Sequence, residues 1–181
     1  MKARSMAVAA LAAGVVLAVG GCGGGSTSGG STTEPVAAQQ PAAPAGSGHG
    51  LCFDVNSDLA KQAMARLSPP PGGKWQVGQA SDDQLSAGCD GVLSWMEVAS
   101  TLNHPYTHML FFTNGTYLGT ATSDPYMYTK ITGHTRTSLT LTYHWIKGDE
   151  PMCCPQGGPS VVTFTLNGTK VTADGQFPPH S

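Results

Sequence analysis

The stretch SLTLTYHWIK, residues 138–147, alternates apolar and polar side chains more regularly than any other part of the chain. Its apolar positions are Leu139, Leu141, Tyr143 and Trp145, and the polar positions between them are Thr140, Thr142 and His144. Successive side chains of a β-strand point to opposite faces of its sheet, so a period of two predicts a strand with one buried face. We therefore expect a sheet that packs against the apolar face of this strand.

Other segments rich in β-branched and aromatic residues predict further strands on both sides of this one. They are residues 92–99, 108–113, 116–122, 126–131, 161–166 and 169–172. Asn114-Gly115 separates two of these segments and fits a two-residue hairpin turn of type I′. Asn167-Gly168 predicts a second hairpin in the same way. Neighbouring segments joined by such short turns predict an antiparallel, meandering sheet.

One helix is predicted ahead of the strands. Asn56-Ser57 can cap a helix over residues 58–67, and SPPPGG at residues 68–73 ends it. The apolar face of this helix consists of Leu59, Ala63, Met64 and Leu67. The predicted fold class is therefore α+β, an antiparallel sheet with one N-terminal helix packed on it. Most of the predicted core between helix and sheet comes from Trp75, Trp95, Phe112, Tyr143 and Trp145.

The N-terminus has the layout of a lipoprotein signal peptide, predicted to span residues 1–21. Lys2 and Arg4 precede an apolar run over residues 6–19, which is short for a membrane span. The run ends in Val19-Gly20-Gly21-Cys22, which resembles a bacterial lipobox. We expect cleavage before Cys22, attachment of a diacylglyceryl group to its thiol as a thioether, and attachment of an acyl chain such as palmitate to its freed amine, which together anchor the chain to the membrane. The alternative is a secreted protein cut near Gly21 with an incidental cysteine.

Residues 22–50 are predicted to be the lipidated cysteine and a disordered tether, because Gly, Ser, Thr, Pro and Ala dominate them and they contain no aromatic residue. The remaining residues, 51–181, are sufficient for one globular domain. This layout predicts a domain on the extracytoplasmic face of the cell membrane. Cleavage removes two of the basic residues, so the net charge changes from −2 to −4. The chain has no basic stripe, so nucleic acid is not expected as a partner.

Four cysteines remain in the predicted domain: Cys52, Cys89, Cys153 and Cys154. An even number in a secreted domain predicts two disulfides, for which three connectivities exist. We expect one disulfide between Cys52 and Cys89, with Cys153 and Cys154 either paired to each other or free. No CxxC spacing supports a metal site or a redox motif.

Catalytic and cofactor motifs are missing from the sequence. It contains no Gly-x-Ser-x-Gly elbow, phosphate-binding loop or dinucleotide fingerprint, so no cofactor is expected. His104 and His108 have the spacing of metal ligands on a helix, but on a strand they would lie roughly 13 Å apart. We therefore expect no metal site. An enzyme acting on envelope polymers stays as the alternative hypothesis, with Glu97, Asp124 and His144 as its dispersed catalytic groups.

The leading hypothesis is a binding module without catalytic activity, which recognises an envelope protein or a small-molecule ligand. Tyrosines supply rigid, amphipathic contact area, and the candidates for the binding surface are Tyr106, Tyr117, Tyr126 and Tyr128. The turn-rich segment over residues 115–119 contains Tyr117 and is part of the same candidate surface. A passive structural surface protein is the third possibility.

Several stretches together resemble the LppP/LprE lipoprotein family of mycobacteria and their relatives. They are LSPPPGGKW at residues 67–75, CDGVLSW at 89–95, HMLFFTNGTYLGTAT at 108–122 and LTYHW at 141–145. The most specific block contains Phe112, Gly115, Tyr117, Leu118, Gly119 and Thr120. The resemblance implies a lipid-anchored envelope protein of actinobacterial type. It implies no particular reaction and no catalytic residues.

Overall fold

The computed structural model describes residues 42–179. The predicted signal peptide, Cys22 and the predicted tether up to residue 41 lie outside these residues and stay predictions. Within residues 42–179, no helix is both long enough and apolar enough to cross a membrane.

The predicted helix is present as α1, Asp58–Ala65. Ser57 is its N-cap, and the Ser57 hydroxyl accepts a hydrogen bond from the Ala60 amide at 3.2 Å. The helix ends two residues before the predicted boundary. There the amides of Arg66 and Leu67 donate to the carbonyls of Ala63 and Met64, closing tighter turns ahead of the proline run.

Among the residues described, nine strands form two antiparallel sheets. The first sheet has the order β1-β2-β3-β4, and the short strand β5 also pairs with β3. Its strands are β1 Trp75–Ala80, β2 Ser94–Ser100, β3 Tyr106–Thr113, β4 Thr116–Thr120 and β5 Tyr126–Met127. The second sheet has the order β6-β7-β8-β9. Its strands are β6 Thr129–Thr135, β7 Ser138–Trp145, β8 Gly157–Asn167 and β9 Lys170–Gly175.

The antiparallel prediction is confirmed, whereas the single sheet and the α+β class need correction: within residues 42–179 the fold is mostly β, with one α-helix. The predicted strand over residues 126–131 is divided at Tyr128, whose φ of 52° is incompatible with a strand. The chain passes there from β5 in the first sheet to β6 in the second. β1 was not predicted, because its residues are mostly exposed and show little apolar alternation.

One apolar core contains residues from the inner faces of both sheets. Its buried members are Leu93, Trp95, Met109, Phe111, Leu139, Leu141, Tyr143, Val162, Phe164 and Leu166. Leu139, Leu141 and Tyr143 are the inward positions of β7, as its alternation predicts. This core therefore holds the two sheets face to face.

A second core lies between α1 and the first sheet. It contains Phe53, Ala60, Ala63, Met96, Val98, Leu110 and Phe112. Because β2 and β3 contribute residues to both cores, these two strands are buried on both faces. Burial on both faces explains why β3 contains the continuous apolar run MLFF instead of an alternating pattern.

Three of the five predicted core aromatics are buried, but only Phe112 lies in the core between α1 and the first sheet, whereas Trp95 and Tyr143 lie between the two sheets. Trp75 and Trp145 are half-buried, so their assignment to the core was wrong in part. Trp75 begins the edge strand β1, where its indole nitrogen donates to the Ser68 carbonyl at 2.7 Å. The pairing of β7 with β8 shifts register between Tyr143 and Trp145, which takes Trp145 out of phase with the inward row.

The Cys52–Cys89 disulfide is present and joins the segment before α1 to the loop before β2. Both cysteines are buried. Cys153 and Cys154 form a disulfide with each other, one of the two states that the sequence left open. This second pair lies in the exposed loop between β7 and β8.

The segment just before Leu51 contacts the domain. The Gly46 carbonyl accepts a hydrogen bond from the Asp54 amide at 2.8 Å, and Gly48 pairs with Leu51 in a short antiparallel bridge. The Ala45 backbone lies beside the β3–β4 turn at Gly115. The contacts of the domain therefore begin several residues before residue 51, where the sequence places its first residue.

The turn between β3 and β4 is the predicted type I′ hairpin, since Asn114 and Gly115 have φ values of 42° and 77°. At Gly115 a Cβ atom would lie 2.8 Å from the Ala45 amide nitrogen, whereas at Gly168, whose φ is 64°, it would meet nothing within 4 Å.

We expect Gly115→Ala to lower the free energy of unfolding by about 2 kcal/mol and Gly168→Ala by about 1 kcal/mol. Urea unfolding of both variants checks this. Equal losses would contradict the contact between the Ala45 backbone and the turn.

Candidate functional site

Three of the four predicted tyrosines line one cleft. Tyr106 begins β3 and lies beside β5, where Tyr106 pairs with Met127 and Thr107 pairs with Tyr126. Tyr128 follows β5 directly. The remaining lining residues of this tyrosine cleft are Pro125, Met127, His144, Trp145, Ile146 and Pro179. Its volume is about 160 Å³.

Contacts with the inter-sheet core fix the back of the tyrosine cleft. The Tyr126 ring lies edge-on to the Tyr143 ring at 5.5 Å, and the Tyr126 hydroxyl donates to the Pro178 carbonyl at 3.5 Å. Burial raises the pKa of both phenols, and for Tyr126 the Asp124 carboxylate adds to this effect. Both tyrosines therefore stay protonated and neutral at physiological pH.

Tyr128 forms the wall between the tyrosine cleft and a more polar neighbour. Its hydroxyl donates to the Met152 carbonyl at 2.5 Å, and its ring lies 5.8 Å from the His104 ring. The neighbouring polar cleft has a volume of about 520 Å³, and its polar lining residues include Glu97, Asn103, His104, Lys130, His144 and Cys153. Tyr128 thus attaches the loop with the Cys153–Cys154 disulfide to the edge of both clefts.

The residues of the enzyme hypothesis are divided between two places. Glu97 and His144 line the polar cleft, whereas Asp124 lines a third one. One Glu97 carboxylate oxygen already accepts a hydrogen bond from the Gln79 amide at 3.1 Å. Within residues 42–179, no three side chains of the metal-binding types come together as a site. His104 and His108 also line different clefts.

The third cleft contains a buried histidine that the sequence did not single out for binding. His108 on β3 is 7% exposed, and its Nδ1 atom has no hydrogen-bond partner among the residues described. This His108 cleft has a volume of about 430 Å³. Its other polar or aromatic lining residues are Arg66, Ser68, Trp75, Tyr117, Thr120, Ser123 and Asp124. The fourth predicted tyrosine, Tyr117, therefore belongs here. One sequence signal could have identified His108. It is a histidine placed directly before the apolar run of β3, a strand that is buried on both faces.

Burial lowers the pKa of His108 below its ordinary value of 6.5, and the Asp124 carboxylate opposes this only in part. The unfolded chain therefore binds a proton at a higher pH than the folded chain, so stability falls as the pH drops below 6.5.

We expect the free energy of unfolding to decrease less in His108→Leu than in the wild type between about pH 8 and about pH 5. Urea unfolding at both pH values measures this, with His104→Leu as control. Identical decreases in wild type and His108→Leu would contradict a neutral, buried imidazole.

Comparison with known proteins identifies the family but no individual relative. Neither the curated proteins nor the solved structures contain a match to this chain. A family model described as LppP/LprE lipoprotein matches residues 78–169, just over half of the chain. The match runs from β1 to the turn before β9 and includes the residues of β3, β4 and β7 that carry the resemblance in sequence. The chain belongs to the LppP/LprE lipoprotein family.

Proposed function

We propose that this protein is a lipid-anchored binding module of the cell envelope, which recognises a protein partner through the tyrosine cleft and catalyses no reaction. The observation that carries the proposal is the convergence of Tyr106, Tyr126 and Tyr128 with Trp145 in one concave site. Tyrosine and tryptophan are enriched among the residues that dominate binding energy in protein interfaces.

The size of the cleft favours a protein partner over a small molecule. Pockets for drug-sized ligands usually measure about 300–1,000 Å³, whereas the tyrosine cleft encloses about 160 Å³. That volume suits one apolar side chain, such as leucine, methionine or phenylalanine. The hydroxyls and backbone groups at its edge can then hydrogen-bond the chain on either side of that anchor. The expected partner therefore presents an exposed apolar side chain on a loop or strand.

The same geometry supports binding without turnover. The three groups of the enzyme hypothesis would have to reach the same bond, but Asp124 lies in a different cleft from Glu97 and His144. The carboxylate of Glu97 accepts from a backbone amide on β1, which gives it a structural partner. The tyrosine cleft itself contains His144 as its one titratable side chain besides the tyrosines.

Membership in a lipoprotein family supports an anchor at Cys22. From Cys22 to residue 41 the chain is rich in small and polar residues. We expect the intact mass of the protein from membranes to show a chain that begins at Cys22 and carries acyl groups. A Cys22→Ala protein that stays entirely in the membrane fraction would contradict this anchor.

Alanine substitutions in the cleft test the binding function. We expect Tyr106→Ala and Tyr128→Ala each to weaken the affinity of the full-length protein for a captured partner by about thirtyfold. This corresponds to a loss of about 2 kcal/mol of binding free energy. Val77→Ala, at an exposed apolar position on β1, is the matched control and should bind like the wild type. Unchanged capture by both tyrosine variants would reject the cleft. Turnover of an envelope polymer that Glu97→Gln or His144→Leu abolishes would reject the absence of catalysis.

A further inference from the structure

The two disulfides of the described residues differ in what they contribute to the fold. Cys52 and Cys89 are buried and lie 37 residues apart in sequence. Cys153 and Cys154 are exposed and adjacent in sequence. A bond between neighbouring residues restricts the unfolded chain very little, so it adds little to stability. The Cys153–Cys154 disulfide therefore needs an explanation other than cross-linking of the fold.

The loop that contains this disulfide is held by hydrogen bonds that do not involve the sulfur atoms. The Glu150 carboxylate accepts from the backbone amides of Lys147 and Gln156 at 2.9 and 3.0 Å, which joins the two ends of the loop. Between these ends, the Cys154 amide donates to the Pro151 carbonyl at 3.1 Å. The backbone of the loop can therefore stay in place while the bond between the sulfurs opens and closes.

The two sulfurs differ in their surroundings, because Cys153 lines the polar cleft and Cys154 does not. The basic lining residues of this cleft are Lys130, His104 and His144. A nearby cation stabilises a thiolate, and a stabilised thiolate is the better leaving group in thiol–disulfide exchange. Glu97, the acidic residue of the lining, already accepts a hydrogen bond from a backbone amide on β1. Cys153 is therefore the better leaving group, and Cys154 is the sulfur that an incoming thiolate attacks.

We propose that the Cys153–Cys154 disulfide is a site of reversible thiol–disulfide exchange, which accepts two electrons from a dithiol. One thiolate of the dithiol attacks the Cys154 Sγ atom, the bond between the cysteines breaks, and Cys153 leaves as a thiolate. The second thiolate of the dithiol then attacks the dithiol's own sulfur in the mixed disulfide, and Cys154 leaves. The dithiol becomes a disulfide, and its two protons are replaced on Cys153 and Cys154. The exchange is stoichiometric and does not depend on the proposed protein partner.

The adjacency of the two cysteines favours a dithiol over a monothiol. After the first attack, the Cys153 thiolate lies one residue from the mixed disulfide and can expel a monothiol by attacking Cys154 again. A dithiol competes with this reversal, because its second thiol is also held beside the mixed disulfide. A small dithiol and a dithiol of another protein share this chemistry, so the experiment has to distinguish them.

The oxidised full-length protein is incubated at equal thiol concentration with three probes, namely dithiothreitol, reduced thioredoxin and glutathione. After acid quenching and alkylation with N-ethylmaleimide, peptide mapping identifies each reduced cysteine. We expect both dithiols to give label on Cys153 and Cys154, and glutathione to give less than about a tenth as much. Labelling by thioredoxin at least as fast as by dithiothreitol assigns a protein dithiol as the source of electrons, and slower labelling assigns a small dithiol.

The Cys52–Cys89 disulfide is the internal control for this experiment. The fold stabilises each disulfide by as much as the disulfide stabilises the fold. We therefore expect Cys153–Cys154 to be half-reduced at a ratio of reduced to oxidised dithiothreitol about a hundredfold lower than Cys52–Cys89 requires. No label on Cys153 and Cys154, half-reduction of both disulfides at the same ratio, or equal labelling by glutathione and dithiothreitol would each overturn the proposal.

A lysine substitution distinguishes an exchange site from a disulfide that is merely exposed. Lys130→Gln removes a cation from the lining of the polar cleft, so we expect it to slow reduction by dithiothreitol about threefold. Lys170→Gln, at an exposed position on β9 outside this cleft, is the matched control and should react like the wild type. Equal rates in the two variants would contradict Cys153 as the leaving group that the cleft stabilises.

Discussion

Phe112→Ala is expected to lower the free energy of unfolding by about 3–5 kcal/mol, the usual cost of truncating a fully buried phenylalanine. Phe112 on β3 is 1% exposed, and its ring stacks on Phe53 with a centroid distance of 4.2 Å. It also lies 5.4 Å from the ring of Tyr117. Its removal leaves a cavity between α1 and the first sheet, where the neighbouring aromatic rings cannot move in without losing their own contacts.

Urea unfolding of the full chain measures this loss. Phe177→Ala is the matched control, because it removes the same side chain from a position that is 37% exposed. We expect the control to lose about 1 kcal/mol. A loss below about 1 kcal/mol for Phe112→Ala itself would mean that α1 does not cover this face of the sheet.

Removal of the Cys52–Cys89 disulfide is expected to have an effect of similar size. The two cysteines are 37 residues apart in sequence, so their bond closes a long loop in the unfolded chain. The chain-entropy model then gives a loss of about 4 kcal/mol for the Cys52→Ala/Cys89→Ala double variant. The loop contains all of α1 and β1, so its ordering contributes to both the second core and the His108 cleft.

The Cys153→Ala/Cys154→Ala double variant is the control for this experiment. Its disulfide joins adjacent residues and closes almost no loop, so we expect a loss below about 1 kcal/mol. Both variants are compared with the oxidised wild type by urea unfolding without reductant. Equal losses in the two double variants, or peptide maps that join Cys52 to Cys153 or Cys154, would contradict the disulfide arrangement described here.

The parts of the fold with a local signal could be predicted from the sequence. The alternation of β7 identified its inward row, the Asn114-Gly115 pair identified a type I′ turn, and Ser57 identified the start of α1. In each case the signal lies within a few residues, where backbone sterics and side-chain direction act directly. The Cys52–Cys89 pairing was also expected, and it is present.

What could not be predicted depends on contacts between distant segments. The division of the 126–131 segment follows from the positive φ at Tyr128, which occurs where the chain leaves one sheet for the other. No local pattern reveals such a crossing. The His108 cleft likewise combines residues from the segment after α1 with residues from β1, β3 and β4, so its polar and aromatic lining exists only after folding. The sequence indicated the four tyrosines as residues of a type suited to binding. Their division between two clefts could be seen only in the structure.

The most direct test of the central claim, that the tyrosine cleft holds a protein partner, is site-specific photo-crosslinking in the intact envelope. Ile146→p-benzoylphenylalanine places the crosslinker in the cleft, and Val77→p-benzoylphenylalanine places it at an exposed apolar site on β1. After irradiation we predict one discrete heavier adduct from position 146, lost when Tyr106→Ala and Tyr128→Ala are added, and no such adduct from position 77. An absence of adduct at position 146, or the same adduct from both positions, would contradict the account.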